Sequence, residues 1–133
     1  MKLETNVEFI GMRYDVNKWM SAADVFVLSS AWEGFGLVVA EAMACERIVV
    51  ATDCGGVKEV VGDCGYLVPP NDSTQLGNAL SQALKLSELQ RVQLGNSARR
   101  RIIESYSLAS VSERWLSIYQ CKSYLNNSCK DVN

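Results

Sequence analysis

Two carboxylates, Glu33 and Glu41, flank a glycine-containing turn, Gly34-Phe35-Gly36. The apolar residues 24–30 before the turn are predicted to form a buried strand, and an apolar helix is predicted to begin at Leu37. This order of strand, turn and helix points free backbone N–H groups at a phosphate. A carboxylate one to two turns into the helix lies beside the same pocket, where it could accept hydrogen bonds from ribose hydroxyls. The spacing therefore indicates a nucleotide-diphosphate site.

The residues alone leave other interpretations open. A Gly-x-Gly turn after a strand is common, and the G-x-G-x-x-G fingerprint of dinucleotide-binding proteins does not occur in this sequence. An NAD-dependent enzyme is therefore a weak alternative. Glu33 could also be a solvated loop carboxylate, and Glu41 an exposed helix position. Spacing by itself predicts a phosphate site and no reaction.

Composition limits the classes of function. The 133 residues suffice for one domain, and a net charge of −2 gives no reason to expect nucleic-acid binding. The sequence has no histidine, which argues against a zinc site or a Ser-His-Asp triad, and no apolar run near the roughly 20 residues that span a bilayer. Its five cysteines form no C-x-x-C pair, as expected for reduced thiols in a cytoplasmic protein. We expect neither a metal nor another cofactor.

Strands and helices are predicted to alternate along the chain. The predicted strands are 7–10, 24–30, 48–51 and 65–68; the predicted helices are 15–22, 37–45, 57–61, 74–86, 88–106 and 108–124. Asn71-Asp72-Ser73 is predicted to cap the fourth helix, and helix 37–45 to pack through Leu37, Val38, Ala40, Met43 and Ala44. The expected fold class is α/β, a Rossmann-like parallel sheet with flanking helices. Segments 29–36 and 52–56 then converge at the carboxyl ends of neighbouring strands, where such sheets bind ligands.

Several segments in order resemble one enzyme family. The segments are Glu33-Gly34-Phe35-Gly36-Leu37 with Glu41-Ala42-Met43-Ala44, Gly55-Gly56-Val57-Lys58-Glu59, Gly65-Tyr66-Leu67-Val68-Pro69-Pro70-Asn71-Asp72, and Tyr106-Ser107. Together they resemble the C-terminal, donor-binding half of GT-B retaining glycosyltransferases of family 4, also called glycosyl transferases group 1. The resemblance extends from Val7 to about Tyr119.

The resemblance implies a role for each matching residue. Glu33 looks like the first signature glutamate, the catalytic residue that contacts the donor sugar, and Glu41 like the second, which binds the ribose. The backbone of the intervening residues would bind the sugar and the diphosphate: Gly34, Phe35 and Gly36 the sugar, Leu37 and Val38 the diphosphate. Met12 and Arg13 resemble the loop beside the nucleobase.

The resemblance also implies a reaction and partners. The donor would be a UDP- or GDP-sugar, transferred with retention to a saccharide or lipid-linked acceptor in surface polysaccharide, lipopolysaccharide or glycolipid assembly. The protein would be cytoplasmic, with peripheral contact at the inner face of the membrane as one option. Residues 99–101 are three arginines, which are usually the charged face of a helix; contact with anionic lipid headgroups is the minority interpretation. A noncatalytic nucleotide-sugar-binding module that acts with a partner chain is the alternative function.

Two departures from the family pattern matter. Glu46 stands where the family usually has glycine after the signature helix, so we expect a left-handed or altered cap there. The N-terminal domain and the first strands of the donor domain are missing from this sequence, which leaves one wall of the cleft. We therefore expect residues 1–124 to be part of the C-terminal GT-B domain and residues 125–133 a polar tail. We also expect the 133-residue chain to be inactive alone.

Overall fold

The computed structural model describes the backbone of residues 3–128 and the side chains of residues 3–120. Helices and strands alternate in the first two thirds of this range, and helices follow. The elements in chain order are α1 (Val16–Ala22), β1 (Val25–Leu28), α2 (Leu37–Ala44), β2 (Ile48–Thr52), α3 (Val57–Val61), β3 (Tyr66–Val68), α4 (Ser73–Leu84), α5 (Glu88–Tyr106) and α6 (Leu108–Ser128). None of the described helices is both long and apolar enough to cross a bilayer.

The three described strands form one parallel sheet in the order β1-β2-β3. Val25 pairs with Ile48, and Val50 pairs with Tyr66. All five residues of the central strand β2 are buried, as expected for an apolar strand that is covered on both faces. The predicted α/β fold with a parallel sheet is confirmed.

Helices cover both faces of this sheet. On one face, Val49 and Ala51 of β2 pack with buried residues of α2, α3 and α5. On the other face, Ile48 and Val50 pack with Ala79 and Ala83 of α4. Successive residues of β2 therefore contribute to opposite cores, as the two-residue period of a strand requires.

The predicted strand at residues 7–10 is wrong. The structure assigns no strand there, and Phe9 is 96% exposed. The described sheet consists of β1, β2 and β3, and residues 7–10 form no backbone ladder with any of these strands. An apolar run without such a ladder does not become a strand.

The predicted packing face of α2 is wrong in part. Leu37 and Val38 are 66% and 39% exposed, whereas Val39, Ala42 and Met43 are fully buried. The buried positions have the i, i+3, i+4 spacing of a single helix face. The exposed pair lies in the first turn, beside the loop that precedes α2.

The ends of two later helices are capped by side chains. Asp72 accepts a hydrogen bond from the Gln75 backbone N–H at 2.9 Å, which confirms its predicted capping role. Ser87 and Gln90 form a capping box at the start of α5. Helix α6 continues to Ser128, so residues 125–128 are helical where a polar tail is predicted. Residues 129–133 lie outside the described residues.

Candidate functional site

The turn before α2 presents a run of free backbone donors. Gly36 has φ +80° and ψ 44°, the left-handed conformation, and no side chain caps the helix. Within the described part of the chain, no acceptor lies at the N–H groups of five consecutive residues: Gly34, Phe35, Gly36, Leu37 and Val38. The first N–H groups with partners are those of Val39 and Ala40, which donate to the Gly36 carbonyl at 3.0 and 3.2 Å. Such a run of amides at a helix N-terminus is suited to bind an anion.

A second loop holds this turn in place. The Gly56 N–H donates to the Gly34 carbonyl at 2.7 Å. Gly55 has φ +54°, and a Cβ added there would lie 1.8 Å from the Glu33 carbonyl oxygen. The loops after β1 and β2 therefore touch at the carboxyl edge of the sheet, as predicted, and the contact requires a residue without a side chain.

Glu33 is half-buried and fixed by the end of β1. The Ser30 hydroxyl donates to Glu33 Oε1 at 2.8 Å. The Ser30 carbonyl in turn accepts from Thr52 Oγ1 at 2.5 Å and from Cys54 Sγ at 3.5 Å. Among the described residues, Glu33 Oε2 has no donor. This oxygen can accept a hydrogen bond from a ligand hydroxyl.

Glu41 is exposed and lines a cavity of about 390 Å³ between α1 and α2. The other lining residues are Tyr14, Val16, Asn17, Met20, Ala44 and Cys45. The volume lies within the roughly 300–1,000 Å³ that is usual for small-molecule sites. Apolar walls with one carboxylate and one amide suit a ring that carries hydroxyl groups.

Comparison with known proteins decides the family. Residues 1–86 match the family model described as Glycosyl transferases group 1. This chain belongs to the glycosyl transferases group 1 family. It is 35% identical over 90% of its length to N-acetyl-alpha-D-glucosaminyl L-malate synthase of Bacillus anthracis, of which it covers 32%. It spans a quarter to a third of the length of the curated relatives it matches.

Solved structures identify the part of the family fold. The chain is 31% identical to the C-terminal domain of the group 1 protein LpcC from Francisella tularensis, with a TM-score of 0.65 over 77% of this chain and 53% of that one. It is 27% identical to Anabaena Alr3699/HepE in complex with UDP, with a TM-score of 0.81 over 90% of this chain and 33% of that one. The described parallel sheet and its flanking helices match the Rossmann-like C-terminal domain of the GT-B fold.

The residues predicted for the donor site line more than one surface of the structure. Glu33 and the five free amides are contiguous, and Glu41 follows on α2. Arg13 lies apart from the Glu41 cavity. It donates two hydrogen bonds to Asp15 at 3.0 and 3.1 Å, which lower the pKa of that carboxyl. Its guanidinium lies 5.3 Å from the centre of the Trp19 ring and lines a separate cavity. Met12 is 86% exposed.

Tyr14 and Asn17 line the Glu41 cavity and were not predicted from the sequence. Asn17 lies three residues before the buried Met20. Helical spacing places these two residues on one face, and that spacing was the available signal. Tyr14 precedes α1 and is 97% exposed, and no pattern in the sequence marks it.

The arginines at 99 and 101 contact helix ends. Arg99 donates to the Ala44 carbonyl at the end of α2 and lies 3.6 Å from Glu46. Glu46 has φ +61°, so the predicted left-handed cap after α2 is confirmed. Arg101 donates to the Val60 carbonyl at 2.9 Å. These two side chains stabilise helix C-termini, where cations are favoured.

The described cysteine thiols, Cys45, Cys54 and Cys64, are free and half-buried. In the part of the chain that the structure describes, no three cysteine, aspartate or glutamate side chains lie close enough together to hold a metal ion.

Proposed function

We propose that this chain is the donor-binding part of a retaining glycosyltransferase that uses a UDP- or GDP-sugar. The observation that carries the proposal is the run of five free N–H groups from Gly34 to Val38, beside the Oε2 atom of Glu33 that has no described donor. Its family, glycosyl transferases group 1, and its likeness to a structure solved with UDP support the same conclusion.

Each part of the donor has a matching feature in the proposed complex. The diphosphate binds the N–H groups at the start of α2, and the ribose binds Glu41 in the cavity between α1 and α2. The donor sugar lies against Glu33 and the backbone of Gly34, Phe35 and Gly36. Met12 and Arg13 stay predicted neighbours of the nucleobase, with Arg13 turned toward Asp15 in this structure.

In the proposed reaction the diphosphate leaves as the sugar acquires oxocarbenium character. Preorganised N–H groups, rather than a metal ion, stabilise the negative charge that develops on the leaving oxygen. Glu33 stabilises the sugar side. The departing phosphate oxygen takes the proton from the acceptor hydroxyl on the same face of the sugar, which retains the configuration. This route is the one that the family resemblance implies, and the absence of histidine from these 133 residues fits it.

The acceptor class and the cellular setting are also part of the proposal. We expect a saccharide or lipid-linked acceptor in surface polysaccharide or glycolipid assembly, reached from the cytoplasm or at the inner face of a membrane. Transfer assays with water-soluble and lipid-linked acceptors, on a polypeptide that also contains the acceptor-binding half, would separate these two acceptor classes.

The donor site is tested by calorimetric titration of the chain with UDP, GDP and their sugar conjugates. One nucleotide series should bind, and Glu41→Ala should weaken its binding by about 10- to 100-fold, since a carboxylate that accepts ligand hydroxyls contributes roughly 1.5–3 kcal/mol. Glu113→Ala is the matched control, because Glu113 is an exposed carboxylate on α6. Equal affinity of Glu41→Ala and the unsubstituted chain would contradict the proposed ribose site.

The alternative is a noncatalytic module that binds a nucleotide sugar and acts with a partner chain. The observation in its favour is that the chain spans a quarter to a third of the length of its curated relatives. On either view we expect the 133-residue polypeptide alone to transfer no sugar. Measurable transfer from a labelled donor by this polypeptide would contradict that expectation and favour the enzyme.

A further inference from the structure

Tyr106, the last residue of α5, contacts α3 and the turn Gly34-Phe35-Gly36 before α2, here called the donor loop. Its ring lies 5.5 Å from the Phe35 ring, centre to centre, in an edge-to-face arrangement at 70°. Its hydroxyl donates to the Glu59 carbonyl in α3 at 2.8 Å. No other described aromatic residue makes a ring contact with Phe35.

Helix α3 depends on partners at its C-terminus. It has five residues, too few to be stable through its own hydrogen bonds. Each of its last four carbonyl groups accepts a hydrogen bond. The Lys58 and Val61 carbonyls accept from the backbone N–H groups of Gly62 and Cys64, at 2.9 and 3.1 Å. The Glu59 carbonyl accepts from Tyr106 at 2.8 Å and from Arg101 at 2.6 Å, and the Val60 carbonyl accepts from Arg101 at 2.9 Å. Two of these four carbonyl groups thus rely on α5.

The other end of α3 touches the donor loop. Gly56 caps the helix and donates its N–H to the Gly34 carbonyl at 2.7 Å. Gly36 lies so close to Val57 that an added Cβ would be 3.1 Å from Cγ2. A shift of α3 is therefore transmitted to the backbone between Gly34 and Gly36.

We propose that Tyr106 is a positioning residue that holds the Gly34–Gly36 backbone in the orientation that binds the donor diphosphate. The ring fixes Phe35 directly, and the hydroxyl fixes the same loop through α3 and the Gly56–Gly34 hydrogen bond. This inference rests on the proposed function for the ligand, and on the geometry alone for the loop.

The test measures the loop in the intact chain without ligand, and then nucleotide binding. Tyr106→Phe removes the hydroxyl and keeps the ring, whereas Tyr106→Leu removes both. Tyr119→Phe is the control, since Tyr119 is exposed on α6 and stacks on Trp115. Amide hydrogen exchange of Gly56 reports the bond to Gly34, exchange of Val50 in β2 reports the core, and the Phe35 ring proton shifts report the aromatic contact.

Tyr106→Phe should accelerate Gly56 exchange about fivefold, the effect of one lost hydrogen bond, and leave Val50 exchange unchanged. The Phe35 shifts should persist in this variant and be lost in Tyr106→Leu. Affinity for the bound nucleoside diphosphate should fall in Tyr106→Phe and fall further in Tyr106→Leu. Tyr119→Phe should bind as tightly as the unsubstituted chain. If Tyr106→Leu does not fold, Tyr106→Phe decides the question.

Unchanged Gly56 exchange in Tyr106→Phe would overturn the proposal. Equal acceleration at Gly56 and Val50 would also overturn it, because that result indicates global destabilisation. Faster Gly56 exchange with unchanged nucleotide affinity would overturn the role in donor binding. If the unsubstituted chain binds no nucleotide, the proposed function fails, while the exchange and ring-shift data still decide whether Tyr106 positions the loop.

Discussion

Gly55 is the residue at which a side chain would do most harm to the site. A Cβ there would lie 1.8 Å from the Glu33 carbonyl oxygen, in a backbone with φ +54°. We expect Gly55→Ala to lower the free energy of unfolding by about 1–3 kcal/mol and to abolish nucleotide binding, since the two loops must separate. Thermal unfolding and calorimetric titration measure the two effects.

Gly77 provides the matched control. It lies inside α4, and nothing is within 4 Å of an added Cβ. Gly77→Ala should therefore raise stability by about 0.5–1 kcal/mol and leave binding unchanged. A stability loss of the same size in both variants would contradict the assignment of Gly55 as a contact residue.

At this scale the sequence predicts residue identities better than contacts. The motif singles out Glu33, Glu41 and the intervening glycines, and the structure makes the predicted amide donors contiguous. The sequence does not reveal that Arg99 and Arg101 contact carbonyl groups more than 40 residues away. A charged run has the same local pattern whether it faces solvent or a distant helix end.

The N-cap of α4 makes the stability of that element depend on pH. Hydrogen bonds from the Gln75 backbone N–H at 2.9 Å and the Gln75 side chain at 2.8 Å lower the pKa of Asp72 from its ordinary value of 3.8. A carboxyl with a lowered folded-state pKa stabilises the protein above its unfolded-state pKa, and this contribution is lost as pH falls through the folded-state pKa.

We therefore expect Asp72→Asn to flatten the acid limb of the stability curve below about pH 4. Denaturation at a series of pH values measures this effect. Asp63→Asn is the control, because Asp63 is an exposed aspartate with no hydrogen bond or ion pair among the described residues. The same flattening in both variants would show that the cap is not its cause.

The elements whose partners lie nearby were predicted well. The uniform apolar run of β2 and the Asp72 cap need only neighbours that the chain supplies. Residues 7–10 are also mostly apolar, but a strand requires a ladder with another strand, and these residues pair with none of the described strands. The face of α2 was misjudged because Leu37 and Val38 are as apolar as the residues Val39, Ala42 and Met43 that the structure buries.

The two cores of the molecule share a single strand. Val49 and Val50 are neighbours in β2, both fully buried, and they face opposite cores. Each Val→Ala substitution should cost about 1.5–3 kcal/mol, and both should shift the same single unfolding transition. Urea denaturation followed by circular dichroism and by tryptophan fluorescence measures this. Two separate unfolding transitions, or a Val→Ala variant with unchanged free energy of unfolding, would contradict the prediction that both cores unfold together.

The side chains that hold α3 determine where a fragment of this protein can be cut. The family match ends at residue 86, whereas Arg101 and Tyr106 lie in the second half of α5. A polypeptide cut at residue 86 keeps both glutamates and the entire loop but loses the α5 donors to Glu59 and Val60. During synthesis the loop likewise leaves the ribosome long before these donors exist. If Tyr106 positions the loop as proposed, the loop acquires its final geometry only after α5 has been made, and a fragment that ends at residue 86 lacks the contacts that hold it.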